Sequence, residues 1–187
     1  MKNLKLFPRI VIVIGIAFFL GGLVATGAGI YVNSFVVSQL SDQNITTPAD
    51  ASIPNKPVNS IETALSMADI IQTHAAASSG GYTYSEMGRF ALPSGDPIGT
   101  NSADEAQLDA NGNPVANAAR NTQLTAAGLV TSLSLSAMAI GVSYGAIALG
   151  IGFTVLGLVI AGLGYALLGL ITPELAKRFG LQPVANA

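Results

Sequence analysis

The chain has 187 residues, 50 % hydrophobic and 10 % charged, with a net charge of −2, no Cys and one His. A soluble domain usually carries about 25 % charged residues, so the composition favours membrane spans over a water-soluble core. The missing Cys excludes disulfides, thiolate metal sites, a Cys nucleophile and a lipidated-Cys anchor. The single His74 excludes a multi-His metal site within one chain, and the negative balance argues against nucleic acid as a partner.

Residues 1–9, MKNLKLFPR, form a basic N-terminus containing Lys2, Lys5 and Arg9. Residues 10–41 follow without a charge, and the apolar run Ile10 to Val32 is long enough to cross a bilayer core of roughly 30 Å. A secretory signal has the same beginning, but its apolar region is about 7–15 residues. This run is longer, and its best cleavage site, Thr26-Gly27-Ala28, is poor. A retained first transmembrane helix with an outer extension is therefore expected over 10–41.

Residues 42–123 hold nine acidic side chains and three basic ones, Lys56, Arg89 and Arg120. Three prolines between Asn44 and Val58 predict an extended connection. A helix is expected at about 60–77, capped by Asn59 with Glu62 reaching back. Its apolar stripe is Ile61, Leu65, Ala68 and Ile71, extended to Ala75. Gly80-Gly81 should end it. Residues 91–115, rich in Gly, Asn, Asp and Pro, should form a loop with a turn at Asp109 to Pro114.

From Arg120 to Glu174 no charged residue occurs. Gly145 to Ile171 reads GAIALGIGFTVLGLVIAGLGYALLGLI, a second transmembrane helix about 40 Å long. Residues 124–172 are read as one long helix, its first part a stem rich in Ser, Thr and Gln. Two spans in place of one would need a turn within Ser143–Ile151, which lacks Pro, Asn and Asp. Leu124, Gly128, Thr131, Leu135, Met138, Val142, Gly145 and Leu149 follow alternating spacings of four and three, a possible packing seam. Residues 173–187 form a tail with Lys177 and Arg178. Basic residues stay cytoplasmic, so both termini are expected inside and residues 42–123 outside the bacterial cell membrane.

The fold class is thus mainly α and integral to the membrane: an antiparallel hairpin of two long transmembrane helices, an extracytoplasmic stem, and a small, partly helical, loop-rich external domain. Small residues let membrane helices approach closely. Gly21, Ala25 and Gly29, four apart, are the candidate packing face on one helix, and Gly141 and Gly145 on the other.

Little of the sequence carries chemistry. His74 would need a carboxylate partner to take a proton, and Asp69 and Glu86 are nearest in sequence. Asp104, Glu105 and Asp109 lack the spacing of a calcium loop. No phosphate-binding loop follows the glycines. Neutral spans also argue against a pump or ion-coupled transporter, which usually need ionisable groups at depth.

Several stretches resemble one family. They are Val37-Ser-Gln-Leu40, Asn44-Ile-Thr46, Pro48-Ala-Asp-Ala51, Lys56-Pro-Val58, Ala68-Asp-Ile-Ile71, His74-Ala75 and Gly80-Gly81-Tyr-Thr-Tyr84. Together they are similar to small bacterial two-helix membrane proteins that often carry the label "aromatic ring-opening dioxygenase". The resemblance covers roughly residues 1–90 and the terminal helix; the loop 91–115 is longer than the family's usual version. The label implies iron held by two His and a carboxylate. One His per chain cannot supply that set, so no cofactor, metal or catalytic residue is expected. The leading expectation is a non-catalytic accessory or scaffolding subunit of a larger bacterial membrane complex, a respiratory-type assembly being one candidate host. A self-assembling, homo-oligomeric structural membrane or surface protein is the alternative, and an enzyme the third. The expected partners are the lipid bilayer and other membrane subunits or copies of the chain itself.

Overall fold

The computed structural model describes residues 6–171. Lys2, Lys5, Lys177 and Arg178, on which the expected orientation rests together with Arg9, lie outside the described residues, as does the whole tail 173–187. The protein is mainly helical, with α1 spanning Leu6–Asp42, α2 Ile61–Ser78 and α3 Ala118–Ile171. Among the described residues there is no strand, only isolated bridges such as Thr46 with Pro57 and Phe90 with Thr100. Two of the helices, α1 and α3, are long and apolar enough to cross a membrane. Helix α3 passes through Ser143–Ile151 without a break.

Two compact units divide the chain. The first takes residues up to Ser34 and those from Val142 onward. Its packing rests on two glycine series, each with a period of seven. Gly15, Gly22 and Gly29 on α1 are buried, and so are Gly150, Gly157 and Gly164 on α3. A Cβ on Gly15 would strike the backbone of Ala161, and one on Gly22 the backbone of Gly150 and Thr154. One on Gly29 would come within 2.8 Å of the Ser143 carbonyl oxygen. From the other side, a Cβ on Gly157 would come within 2.6 Å of the Gly15 carbonyl oxygen, and one on Gly164 within 3.0 Å of that of Pro8. Partners on α3 fall in number as those on α1 rise, so the segments run antiparallel. Seven residues are close to two helical turns, which keeps every glycine of a series on one face.

Many large side chains in this unit are exposed, although Phe18 of α1 meets Phe153 of α3 edge to face. Val24 is 72 % exposed, Phe7 65 % and Leu163 59 %. The few polar groups are spent locally. Thr26 Oγ1 donates to the Gly22 carbonyl at 2.9 Å, and Thr154 Oγ1 to that of Gly150 at 2.8 Å. Asn33 Nδ2 donates to Ser143 Oγ at 3.2 Å, linking the two helices.

The second unit is Phe35–Gly141. Here the last turns of α1, all of α2 and the first half of α3 enclose an aliphatic core of Leu40, Val58, Ala64, Ala68, Leu133, Ala137 and Ile140. Ile140 and Ala64 are wholly buried. Helix α2 begins where Ser60 Oγ accepts from the Thr63 amide and Thr63 Oγ1 accepts from the Ser60 amide. Ser60 and Thr63 thus replace the expected Asn59 and Glu62, because the reciprocal bonds suit hydroxyls as well as carboxylates. The helix ends as expected at Gly80-Gly81, with the Gly81 amide reaching back to the Ala76 carbonyl at 2.8 Å.

Helix α3 begins at Ala118, six residues before the predicted start. Asn117 caps it, its Oδ1 accepting from the Ala119 amide at 3.1 Å. The same side chain donates from Nδ2 to the carbonyls of Gly88 and Pro97 at 3.0 and 2.9 Å. One residue therefore starts the helix and gathers the loop. That loop is tied by backbone bonds: Phe90 exchanges two with Thr100 at 2.9 Å, and Ala91 donates to Val115 at 2.9 Å. Gly99, at φ 65° and packed against Asn117 and the Phe90 carbonyl, occupies a position where a side chain would not fit. The stretch Ser85 to Phe90 forms turns.

Candidate functional site

The residues expected to carry helix contacts are distributed unevenly. Of the first set, Gly29 sits in the α1–α3 contact and Ala25 is partly buried, whereas Gly21 faces open space. A Cβ on Gly145 would also meet nothing, and one on Gly141 would reach only the tip of Ile61 at 3.9 Å. The contact face is rotated by one residue from the expected four-residue series, onto the seven-residue series through Gly15 and Gly22. The seam proposed along α3 is likewise displaced. Leu124, Leu135, Met138 and Leu149 are 54–63 % exposed, while Ala126, Leu133, Ala137 and Ile140 are buried.

On α2, Ala68 is buried, and Ile61 and Ile71 pack at the edge of the core. Leu65 is 47 % exposed, and Ile70, outside the predicted stripe, is buried. The buried face also takes Thr63 and Ser66. Ser66 Oγ accepts from the Ile53 amide at 2.9 Å and bonds Ser52 Oγ at 2.9 Å. These bonds fix residues 46–58 against α2, a polar attachment that an apolar stripe does not reveal. Thr47, also buried, holds the same loop by accepting from the Lys56 amide at 3.0 Å.

His74 finds its carboxylate in Asp50, with Nε2 and Oδ2 2.7 Å apart, rather than in Asp69 or Glu86. Asp50 is held below its ordinary value by this hydrogen bond first, then by a backbone hydrogen bond and the imidazole's charge. Both side chains are more than half exposed, so the pair sits in water-like surroundings. Glu86 instead caps the turn at Thr83, whose amide and hydroxyl lower its pKa. Asp109 closes its predicted turn by accepting from the Asn113 and Asn111 amides at 2.8 Å, which lowers it too. These carboxylates are structural caps of turns. No group of three or more potential metal ligands occurs among the described residues.

Two adjoining hollows lie in the second unit. The first, about 550 Å³, is walled by the end of α1, by α2 and by α3; Val36, Leu40, Met67 and Leu133 give it an apolar lining. The second, about 560 Å³, is a groove between α2 and α3 bordered by His74, Asn121, Thr122 and Thr125. Ile71 and Leu129 line both. Neither lining contains Asp, Glu, Lys or Arg. Nearby, the Arg120 guanidinium lies 4.0 Å from the centre of the Tyr84 ring, a cation–π contact, and its Nε is buried without a hydrogen-bond partner.

Comparison with protein-family models, with curated proteins and with solved structures finds no match.

Proposed function

We propose that this chain is a two-span membrane protein acting as a non-catalytic accessory or scaffolding subunit of a larger bacterial membrane assembly. One observation carries the reading: in the first unit the helix contact is made by the two seven-residue glycine series, while most large aliphatic and aromatic side chains are exposed. Burial of apolar area drives packing in water, so a water-soluble helix pair would arrange these residues the other way round. In lipid that drive is absent, and close backbone approach through small residues holds helices together. Of the most apolar window in each of α1 and α3, only 11 % is buried. Lipid tails or partner helices cover the remainder in this reading. The basic residues flanking the spans support a hairpin with both termini cytoplasmic and residues 42–123 outside.

A scaffold reading fits a chain in which Glu86 and Asp109 cap turns and the one imidazole is paired at an exposed surface. Extraction in a gentle detergent followed by mass spectrometry tests it. Co-purification of other membrane subunits in fixed ratio is the expected result. A single polypeptide at high mass would shift the reading to a self-assembling structural protein. A chain that stays monodisperse in buffer without surfactant would overturn the membrane reading altogether. The absence of native Cys makes topology accessible: Asn101→Cys should react with an impermeant thiol reagent in intact cells.

A further inference from the structure

We propose that the apolar hollow of the second unit binds one acyl chain of a membrane glycerolipid, with the lipid's polar end in the adjoining groove. This rests on the membrane reading above, which supplies the ligand. The first support is size: about 550 Å³ lies within the roughly 300–1,000 Å³ typical of small-molecule sites. The second is a division of chemistry. The hollow is lined mainly by apolar side chains, with Gln39, Gln43, Ser132 and Ser136 among them, and it shares Ile71 and Leu129 with a groove that carries an imidazole, an amide and hydroxyls. An amphiphile has the same division along its length.

Charge narrows the choice. With no Asp, Glu, Lys or Arg in either lining, and with the groove's His74 already paired to Asp50, a free fatty acid carboxylate would find no unpaired cation, at a cost to burial. An ester-linked chain brings carbonyl oxygens that need only neutral donors. Gln39 and Gln43, on the rim of the apolar hollow, carry side-chain amides that can donate. The Ser132 and Ser136 hydroxyls donate to backbone carbonyls of their own helix, so the Gln amides are the donors this hollow offers an ester carbonyl. Along α3 the two linings run from Asn121 to Ser136, about 22 Å of helix. A lipid chain with its ester linkage is a linear ligand suited to such a length. The sequence also places the wall beside a lipid-type segment, since Phe35 follows the apolar run Ile10 to Val32 by one turn of α1.

The test uses the full chain reconstituted in phosphatidylcholine vesicles that contain a phosphatidylcholine with a photoreactive diazirine at the end of one acyl chain. After irradiation, labelled peptides are mapped by mass spectrometry. Label on α2 at Met67 or Ile71 is expected, in addition to label along the apolar runs of α1 and α3. Ser132→Phe, which fills the hollow from its rim, should lower the α2 label about tenfold. Leu135→Phe, which adds bulk at an exposed position outside the lining, should leave it unchanged. Label on the apolar runs but not on α2, or α2 label indifferent to Ser132→Phe, overturns the acyl site and leaves the membrane reading intact. Label on neither would defeat both. Competition separates sources: excess unlabelled phosphatidylcholine should displace the α2 label, and displacement by free fatty acid alone would overturn the glycerolipid assignment.

Discussion

The two units of this protein use opposite rules for what belongs inside. In Phe35–Gly141 the interior is aliphatic, with Ile140, Val58 and Ala64 at or near zero exposure, and the polar loops surround it. In the unit formed by the ends of the chain, the interior is glycine and the exterior is Val, Leu and Phe. The first arrangement is what water imposes on a chain; the second is, in the membrane reading proposed above, what remains when water is not the solvent. Both units are helical and share two helices, so the difference does not lie in the local backbone, and the proposed reading assigns it to the surroundings.

The contrast can be broken with a single residue type. Alanine should be too small at position 140 and too large at position 157. Ile140→Ala leaves a cavity in the aliphatic core and should cost about 2–5 kcal/mol, read from unfolding in mixed micelles. Gly157→Ala puts a Cβ against the backbone of Phe19 and the Gly15 carbonyl, so the helices must separate, at roughly 1–3 kcal/mol. Gly21→Ala is its control, with nothing near the added Cβ, and should change stability by less than about 0.5 kcal/mol. If Gly157→Ala proved as harmless as Gly21→Ala, the glycine interior would have no energetic meaning.

Smaller effects sharpen the account of the second unit. Asn117→Ala removes the α3 cap and two bonds to loop carbonyls, and should cost about 1–2 kcal/mol. Faster amide exchange should then appear at residues 88–100, ahead of α2. The smallest effect belongs to Asp50. Its folded pKa is depressed below the ordinary 3.8, so its contribution is present above that value and lost as pH falls through the folded pKa. The small difference in melting temperature between the wild type and Asp50→Asn should therefore persist at pH 5–6 and close below about pH 3.8. A gap that widened on acidification would show the pair to be wrongly assigned.

Much of the architecture was legible because its signals were long. Uncharged runs of more than twenty residues announce α1 and α3 whatever their neighbours do, and Gly80-Gly81 punctuates α2 through backbone geometry alone. The contact faces were not legible. With 21 glycines available, a four-residue series through Gly21 and Gly145 reads as well as the seven-residue series through Gly22 and Gly150, and only the crossing of the helices chooses. Leu65 shows a related limit: periodicity marked the stripe, but Ser66 is drawn inward by its bond to the Ile53 amide and turns the buried face toward Ala64, Ala68 and Ile70. Asn117 was hidden among several similar Asn residues in a loop, and the Asp50–His74 pair spans 24 residues that no spacing rule connects. The adjoining hollows depend on three segments brought together by folding, which is why no motif foretold them.

The central claim concerns the solvent of the first unit, and one comparison of equally exposed sites addresses it. Nitroxide labels at Val24→Cys and Leu108→Cys, positions 72 % and 56 % exposed, can be placed in a chain with no native thiol. In reconstituted vesicles, spin relaxation at Val24 should respond to apolar oxygen and not to a water-soluble nickel chelate, while Leu108 should respond to the chelate. Equal access of the chelate to both sites would contradict the account.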